Sequence, residues 1–177
     1  MQSELTYAIV PAGPADAAEL ARVHVQAWRE TYAGVLPSDY LDRMSTPLHM
    51  RRWRARLIRM NEITLAAEGR HGLVAYASGQ TARAGETAEG EITTLYVLRS
   101  AQDMGLGRLL LTGVARALAD RGASSLVIWV LRENARAQGF YERLGGQPGE
   151  GREETVGGGV ARTIAYRWND IRALVGG

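Results

Sequence analysis

The chain has 177 residues, 46% of them apolar, which is enough to bury the core of one domain, and no tract resembles a linker to a second. Its formal net charge is only +2, so a pI near 9.2 reflects a shallow titration curve and excludes a basic surface built for nucleic acid. It has no cysteine, which excludes disulfides, thiolate metal sites and an acyl-cysteine intermediate, and all 21 basic residues are arginine, which excludes Schiff-base chemistry on lysine.

In chain order, Leu5 to Val10 reads as a first strand ended by Pro11, Gly13 and Pro14. Asp16 is placed to cap a helix whose positions Leu20, His24, Ala27, Trp28 and Thr31 or Tyr32 recur at helical spacing. Pro37 and Pro47 punctuate two further helical pieces that end near Met60, and the second carries Arg51, Arg52, Arg54, Arg56 and Arg59 as a solvated face. Ile63 to Ala67 and Leu73 to Gln80 form a hairpin, and the polar stretch from Arg83 to Gly90 leads to a central strand, Glu91 to Val97. A helix from Gly105 to Arg121, a strand from Ser125 to Leu131, and a helix with Asn134 as N-cap and Gly145 as its stop follow. Gly149 to Glu154 and Ala161 to Trp168 close the chain as two strands around Gly157 to Gly159. Strands mixed with helices in this order predict an α/β sandwich, and the periodicity alone does not order the strands. No charged-then-apolar leader opens the chain and no apolar run reaches about 18 residues, so a cytoplasmic protein with no membrane partner is expected.

The most informative segment joins the strand at Glu91 to the helix after Gly105. Gln102-Asp-Met-Gly-Leu-Gly107 between them is a strand, a glycine turn and a helix start, which presents free N–H groups and the positive end of a helix dipole to an anion. A pyrophosphate is the expected ligand. A dinucleotide fingerprint would need a third glycine where Leu110 stands, and a Walker loop would need a lysine. By itself the Gly-x-Gly would equally fit a plain strand-to-helix turn.

Downstream, Asn134-Ala-Arg-Ala137-Gln-Gly-Phe140-Tyr141 supplies a second pattern. Together the two segments resemble the GNAT superfamily of acyl-CoA-dependent N-acyltransferases, whose turn reads Gln/Arg-x-x-Gly-x-Gly/Ala and whose later helix reads Asn-x-x-Ala-x-x-Phe-Tyr. The resemblance covers roughly residues 5 to 168. It implies a mixed six- or seven-stranded sheet flanked by helices on both faces, in which the strands ending near Val97 and beginning near Ser125 splay apart around the CoA arm. It also implies acetyl-CoA as co-substrate and direct transfer to an amine of a small molecule or peptide. The alternative is a regulatory module that binds acyl-CoA without catalysis, and a further rival is an unrelated nucleotide-binding domain. Relatives commonly form homodimers.

Amine acetylation needs a base, because an amine of pKa near 10 is protonated at neutral pH, and an acid for a thiolate whose thiol has a pKa near 8.5. The resemblance offers Glu91 as the base, acting through water, and Tyr141 as the acid that protonates sulfur. In sequence alone a strand-starting glutamate and a core tyrosine would look the same. The turn residues Gln102, Asp103, Met104, Gly105, Leu106, Gly107 and Arg108 would hold the pyrophosphate. The main chain of Leu95 and Val97 would pair with the pantetheine, Leu95 also polarising the thioester carbonyl, and Asn134 would contact the same arm while capping its helix. Trp28 and Tyr32 occupy the region that walls the acceptor pocket in the superfamily, although such aromatics also serve as core. Position 104 is often basic in relatives and is neutral Met104 here, which leaves compensation to Arg108; the usual Gly-Phe after the helix is Gly145-Gly146. His24, His49 and His71 lack metal-ligand spacing, so no metal is expected.

Overall fold

The computed structural model of the protein describes residues 7–82, 84, 88–156 and 159–176, and the structural statements below concern those residues. Seven strands form one sheet: β1 (Ala8–Pro11), β2 (Glu62–Gly69), β3 (Gly72–Thr81), β4 (Gly90–Val97), β5 (Leu126–Leu131), β6 (Gln147–Val156) and β7 (Gly159–Trp168). Their order is β1-β2-β3-β4-β5-β7-β6, and every neighbouring pair is antiparallel except β4 with β5. A parallel pair needs a crossover, and here it is α4 (Leu106–Asp120). That single parallel pair is also the shortest ladder, with only Gly90–Ile92 set against Leu126–Ile128.

Helices cover both faces. On one, α4 buries Leu106, Leu110, Leu111, Val114 and Leu118 against Ala75, Ala77, Ile92, Leu126 and Ile128. Small residues on β3 let the helix come close: a Cβ on Gly79 would lie 2.5 Å from Val114 Cγ1 and 3.2 Å from the Glu91 carbonyl. On the other face α1 (Ala17–Tyr32) and α3 (Thr46–Leu57) bury Leu20, Val23, Ala27 and Trp53 against Ala66, Leu73 and Tyr76. The short α2 (Ser38–Asp42) adds Leu41 to a third cluster with Val25, Tyr32 and Leu131. Two more helices, α5 (Ala135–Arg143) and α6 (Arg172–Val175), pack toward the α4 side.

Local expectations mostly survive, with informative exceptions. Asp16 precedes α1 but does not cap it; its carboxylate accepts the Gly13 N–H at 2.8 Å and closes the 3₁₀ turn Pro14–Asp16 instead. Leu5 and Thr6 lie outside the described residues, and β1 runs on through Pro11, which an edge strand tolerates. Most of the stretch 83–87, and two of the three glycines at 157–159, also lie outside them. Arg51, Arg52 and Arg54 are exposed as predicted. Arg56 is not: it stacks over Trp53 at 4.2 Å, bonds Glu62, and reaches Thr93 Oγ1 at 3.3 Å. Among the described residues no helix is long and apolar enough to cross a membrane.

Candidate active site

The site begins as an irregularity in β4. Thr94 pairs with Ser78, but the next β3 residue, Gly79, pairs with Ile92, so Thr93 is an extra residue in its strand. Such a bulge bends and twists the strand that carries it. Pairing with β5 stops just before it, at Ile92, and from there β4 and β5 diverge.

Hydrogen-bond alternation then fixes which peptide groups face the gap. The Leu98 N–H donates to the Val74 carbonyl at 2.9 Å, so Tyr96 and Thr94 share its direction toward β3. Leu95 and Val97 therefore point their N–H and C=O groups into the gap. On the far side the Arg132 N–H donates to the Arg162 carbonyl at 2.9 Å, which sets Val130 and Ile128 on β7 and leaves the peptide groups of Trp129 facing Leu95 across the fork. The resulting cleft has a volume of about 510 Å³. One expectation is narrowed: the Val97 carbonyl already accepts Gln102 Nε2 at 3.1 Å, so Val97 can offer a ligand its N–H, and the Gln102 side chain braces the turn.

At its outer end the fork runs into the glycine turn. Asp103 and Gly105 both have left-handed backbones, with φ of 62° and 77°. A Cβ on Gly105 would meet nothing within 4 Å, so glycine is required there by its torsion and the space beside it stays open. Gly107 is small for a different reason, since its Cβ would sit 3.3 Å from Phe140 Cζ on α5. The first bond of α4 is Leu109 N–H to the Gly105 carbonyl at 3.1 Å, so the N–H groups of Leu106, Gly107 and Arg108 precede any helical acceptor and lie at the positive end of the dipole. Leu106 buries its side chain in the core, so only its backbone can serve a ligand. Met104 is 45% exposed. The charge absent at 104 is supplied around the turn by Arg99, Arg108, Arg136 and Arg143, all on the cleft lining. Arg136 bonds the Asp103 carboxylate at 2.9 and 3.2 Å. Of these only Arg108 was identified from the sequence, because α5 brings Arg136 and Arg143 to the turn through tertiary packing.

Asn134 caps α5 as predicted, its Oδ1 accepting the Ala137 N–H at 3.1 Å, which leaves its amide NH₂ as the group it can offer to the cleft it lines. Tyr141 also lines the cleft, although it is only 4% exposed and packs against Phe140, Tyr166 and Trp168. Burial, and then the Tyr32 phenol, push its pKa well up, so it stays a proton-bearing phenol throughout the physiological range. The unusual Gly145-Gly146 has a partner. A Cβ on Gly146 would lie 2.8 Å from the Trp168 ring, whose indole Nε1 donates to the Leu144 carbonyl at 2.9 Å. Trp168, from β7, occupies the space beside the helix end that a side chain at position 146 would need.

The acceptor-wall expectation divides. Tyr32 lines the cleft and its hydroxyl lies 3.0 Å from that of Tyr96, a residue the sequence did not single out but whose alternation with Leu95 and Val97 could have flagged it. Trp28 does not line the cleft; it sits a layer behind, its ring 5.0 Å from Tyr32 and 6.3 Å from Tyr96, with Nε1 buried and unpartnered among the described residues. Further back, His24 Nδ1 and Tyr76 OH are 2.6 Å apart. Glu91 is likewise not brought to the fork. It lies in the paired stretch ahead of the bulge, 3% exposed and off the cleft lining, because the ladder with Val127 continues past it. Among the described residues no three His, Cys, Asp or Glu side chains cluster to hold a metal ion.

Two strands that splay apart, a glycine turn at the mouth of the gap and a tyrosine on the next helix are the elements the sequence resemblance implied, and the structure has them together. The model of the acetyltransferase (GNAT) family matches residues 25–146, which span all of them. The chain belongs to the GNAT acetyltransferase family. The unrelated nucleotide-binding alternative falls with that result. Among curated proteins, this acetyltransferase is similar to an uncharacterized N-acetyltransferase of Bacillus subtilis, YuaI, with 28% identity over 160 residues, 90% of this chain and 91% of that one. It is also 28% identical over 141 residues to a probable N-acetyltransferase of Mycobacterium tuberculosis, 75% of each chain. Among solved structures, the PaiA N-acetyltransferase of Thermoplasma acidophilum in complex with coenzyme A superposes with a TM-score of 0.75 at 18% identity, covering 93% of this chain and 100% of that one. YncA of Salmonella typhimurium, with its cofactor acetyl-CoA, gives 0.68 at 20% identity over 92% and 93%. At such identities the two structures establish the fold.

Proposed function

We propose that this N-acetyltransferase binds acetyl-CoA along the β4–β5 fork and transfers the acetyl group directly to an amine, in the cytoplasm. The observation that carries the assignment is the continuity of donors from the open edge of β4 into the turn. The N–H groups of Leu95 and Val97 face the fork, and those of Leu106, Gly107 and Arg108 face its mouth, where main-chain donors and a helix dipole suit a pyrophosphate. Arg99, Arg108, Arg136 and Arg143 add charge-assisted contacts there, each contributing on the order of 1.5 to 3 kcal/mol where it is made. A bound thioester would supply the activated acyl carbon. The Leu95 N–H is placed to stabilise negative charge on the carbonyl oxygen, a donor that needs no reorganisation because the strand ladder holds it. Tyr141, kept protonated by its surroundings, gives its proton to the departing sulfur. With no cysteine to carry an acyl-enzyme thioester, the transfer is direct in this proposal, within a complex of donor and acceptor.

Two measurements test the proposal. Calorimetry on the folded protein should show heat of association with coenzyme A. Thiol release with a panel of amines should exceed the amine-free rate, against a low background since the protein has no thiol of its own. Association without amine-dependent release would mean a CoA-binding regulatory module.

A further inference from the structure

Sorted by element, the lining of the fork separates into a charged part and an uncharged part. The charged side chains come from the turn (Arg99, Asp103, Arg108), from α5 (Arg136, Arg143) and from Glu30 on α1. Glu30 is committed to the turn: its carboxylate accepts the Arg99 backbone N–H at 2.7 Å and Gln26 Nε2 at 2.9 Å. The bulged and diverging strands bring something different. Thr93, Thr94 and Tyr96 from β4 and Trp129 from β5, with Tyr32 and Tyr141 reaching in from α1 and α5, carry hydroxyls and rings but no formal charge.

The charges that approach this end from behind do not alter it. Arg56 comes to Thr93 Oγ1 from α3, already bonded to Glu62. Arg152 lies over the Trp129 ring at 3.7 Å, already bonded to Glu154. His24 and His49 stand behind Tyr96 and Trp28, and their burial favours the neutral forms. Glu91 sits in the paired ladder ahead of the fork and off its lining. The three phenols have pKa values raised by burial, so none is a base at neutral pH.

From this division we infer that the acceptor is an amine with an appreciable neutral fraction near physiological pH, namely the α-amine of a peptide or amino-acid amide, and not the ε-amine of lysine or a polyamine. The inference rests on the acetyl-transfer function proposed above. An ammonium entering an uncharged, tyrosine-walled slot gives up its hydration with no carboxylate to replace it. An α-amine of pKa about 7.7 to 8.0 is roughly one-tenth neutral at pH 7, whereas an ε-amine of pKa about 10.4 is neutral in only about one molecule in 2,500. A polyamine would bring further ammonium groups to the same wall. With a neutral acceptor the step balances within the site. The nitrogen lone pair forms the new C–N bond, the C–S bond breaks, and sulfur takes the Tyr141 proton. The surplus proton on nitrogen then restores the Tyr141 phenol through water.

Two peptides matched in every residue but the lysine test this, one with a free N-terminus and no lysine, the other N-terminally blocked with a single lysine, each assayed with acetyl-CoA from pH 6 to 10. The α-amine peptide should have the higher kcat/KM at pH 7 by roughly 10- to 100-fold, the greater intrinsic nucleophilicity of the ε-amine offsetting part of its ionisation disadvantage. Each profile should bend at its own acceptor's pKa, and Glu91→Gln should move neither bend. Equal rates for the two peptides at pH 7, or one bend shared by both acceptors and lost in Glu91→Gln, would overturn the inference and return the proton to an enzyme base. Transfer to neither peptide, with coenzyme A bound normally, would also overturn it. Failure to bind coenzyme A at all would take down the acetyl-transfer proposal beneath it.

Discussion

His24 makes the stability of this protein depend on pH below about 6.5. It is 8% exposed between α1 and β3, shares a 2.6 Å hydrogen bond with Tyr76 OH, and stacks 4.6 Å from His49. Burial, and then the neighbouring His49, Arg56 and Arg52, lower its pKa from 6.5 to about 3. The unfolded chain therefore binds a proton at His24 between those values while the folded chain does not, so stability falls as pH drops below about 6.5. At pH 5 the unfolded imidazole is nearly all charged and the folded one nearly all neutral, which amounts to a loss of about 2 kcal/mol relative to pH 7.5. A folded pKa one unit higher would leave that figure almost unchanged. For a chain of 177 residues it corresponds to a drop of roughly 5 °C in Tm. Half-buried His49, also shifted down by burial, adds loss in the same direction. Urea unfolding at pH 7.5 and 5 would read the effect, with His24→Asn as control, since its side-chain amide can keep a hydrogen bond to Tyr76 OH without binding a proton. Equal stability at both pH values, or the same loss in His24→Asn as in wild type, would refute the reasoning.

Three substitutions probe the site and its support. Tyr141→Phe should slow the chemical step by roughly 10² to 10⁴ with little change in coenzyme A affinity; single-turnover rates and calorimetry separate the two, and an unimpaired rate would remove the tyrosine from the mechanism. Gly105→Val puts a β-branched residue at a φ of 77° with no steric neighbour, so it should destabilise by only about 1 to 3 kcal/mol while weakening coenzyme A binding. Normal affinity in that variant would reduce the turn to a connection. Gly146→Ala meets the Trp168 ring at 2.8 Å and the Tyr141 carbonyl at 2.9 Å, so it should lower Tm by an amount equivalent to about 1 to 3 kcal/mol; an unchanged Tm would mean that Trp168 can move aside.

Local chemistry was legible in the sequence wherever the cause is local. The αL turn at Gly105, the Asn134 cap, the helical repeat of α1 and the strand runs follow from torsional preference and periodicity over a few residues, and their order along the chain was enough for the family resemblance. What happens between strands was not legible. The extra residue at Thr93 ends the β4–β5 ladder and so decides that Leu95 and Trp129 face a cleft while Glu91 stays in the sheet. Trp28 and Tyr32 lie four apart on one helix, yet only Tyr32 reaches the site, because Tyr96 from a strand 64 residues away meets its hydroxyl and Trp28 packs behind both. Gly146 departs from the family pattern, and its reason lies in Trp168, 22 residues on, whose ring takes the space beside it. Register and packing are set by partners distant in sequence, so the segments that build the fork were readable from the sequence, while which of their residues line it depends on how the sheet closes around them.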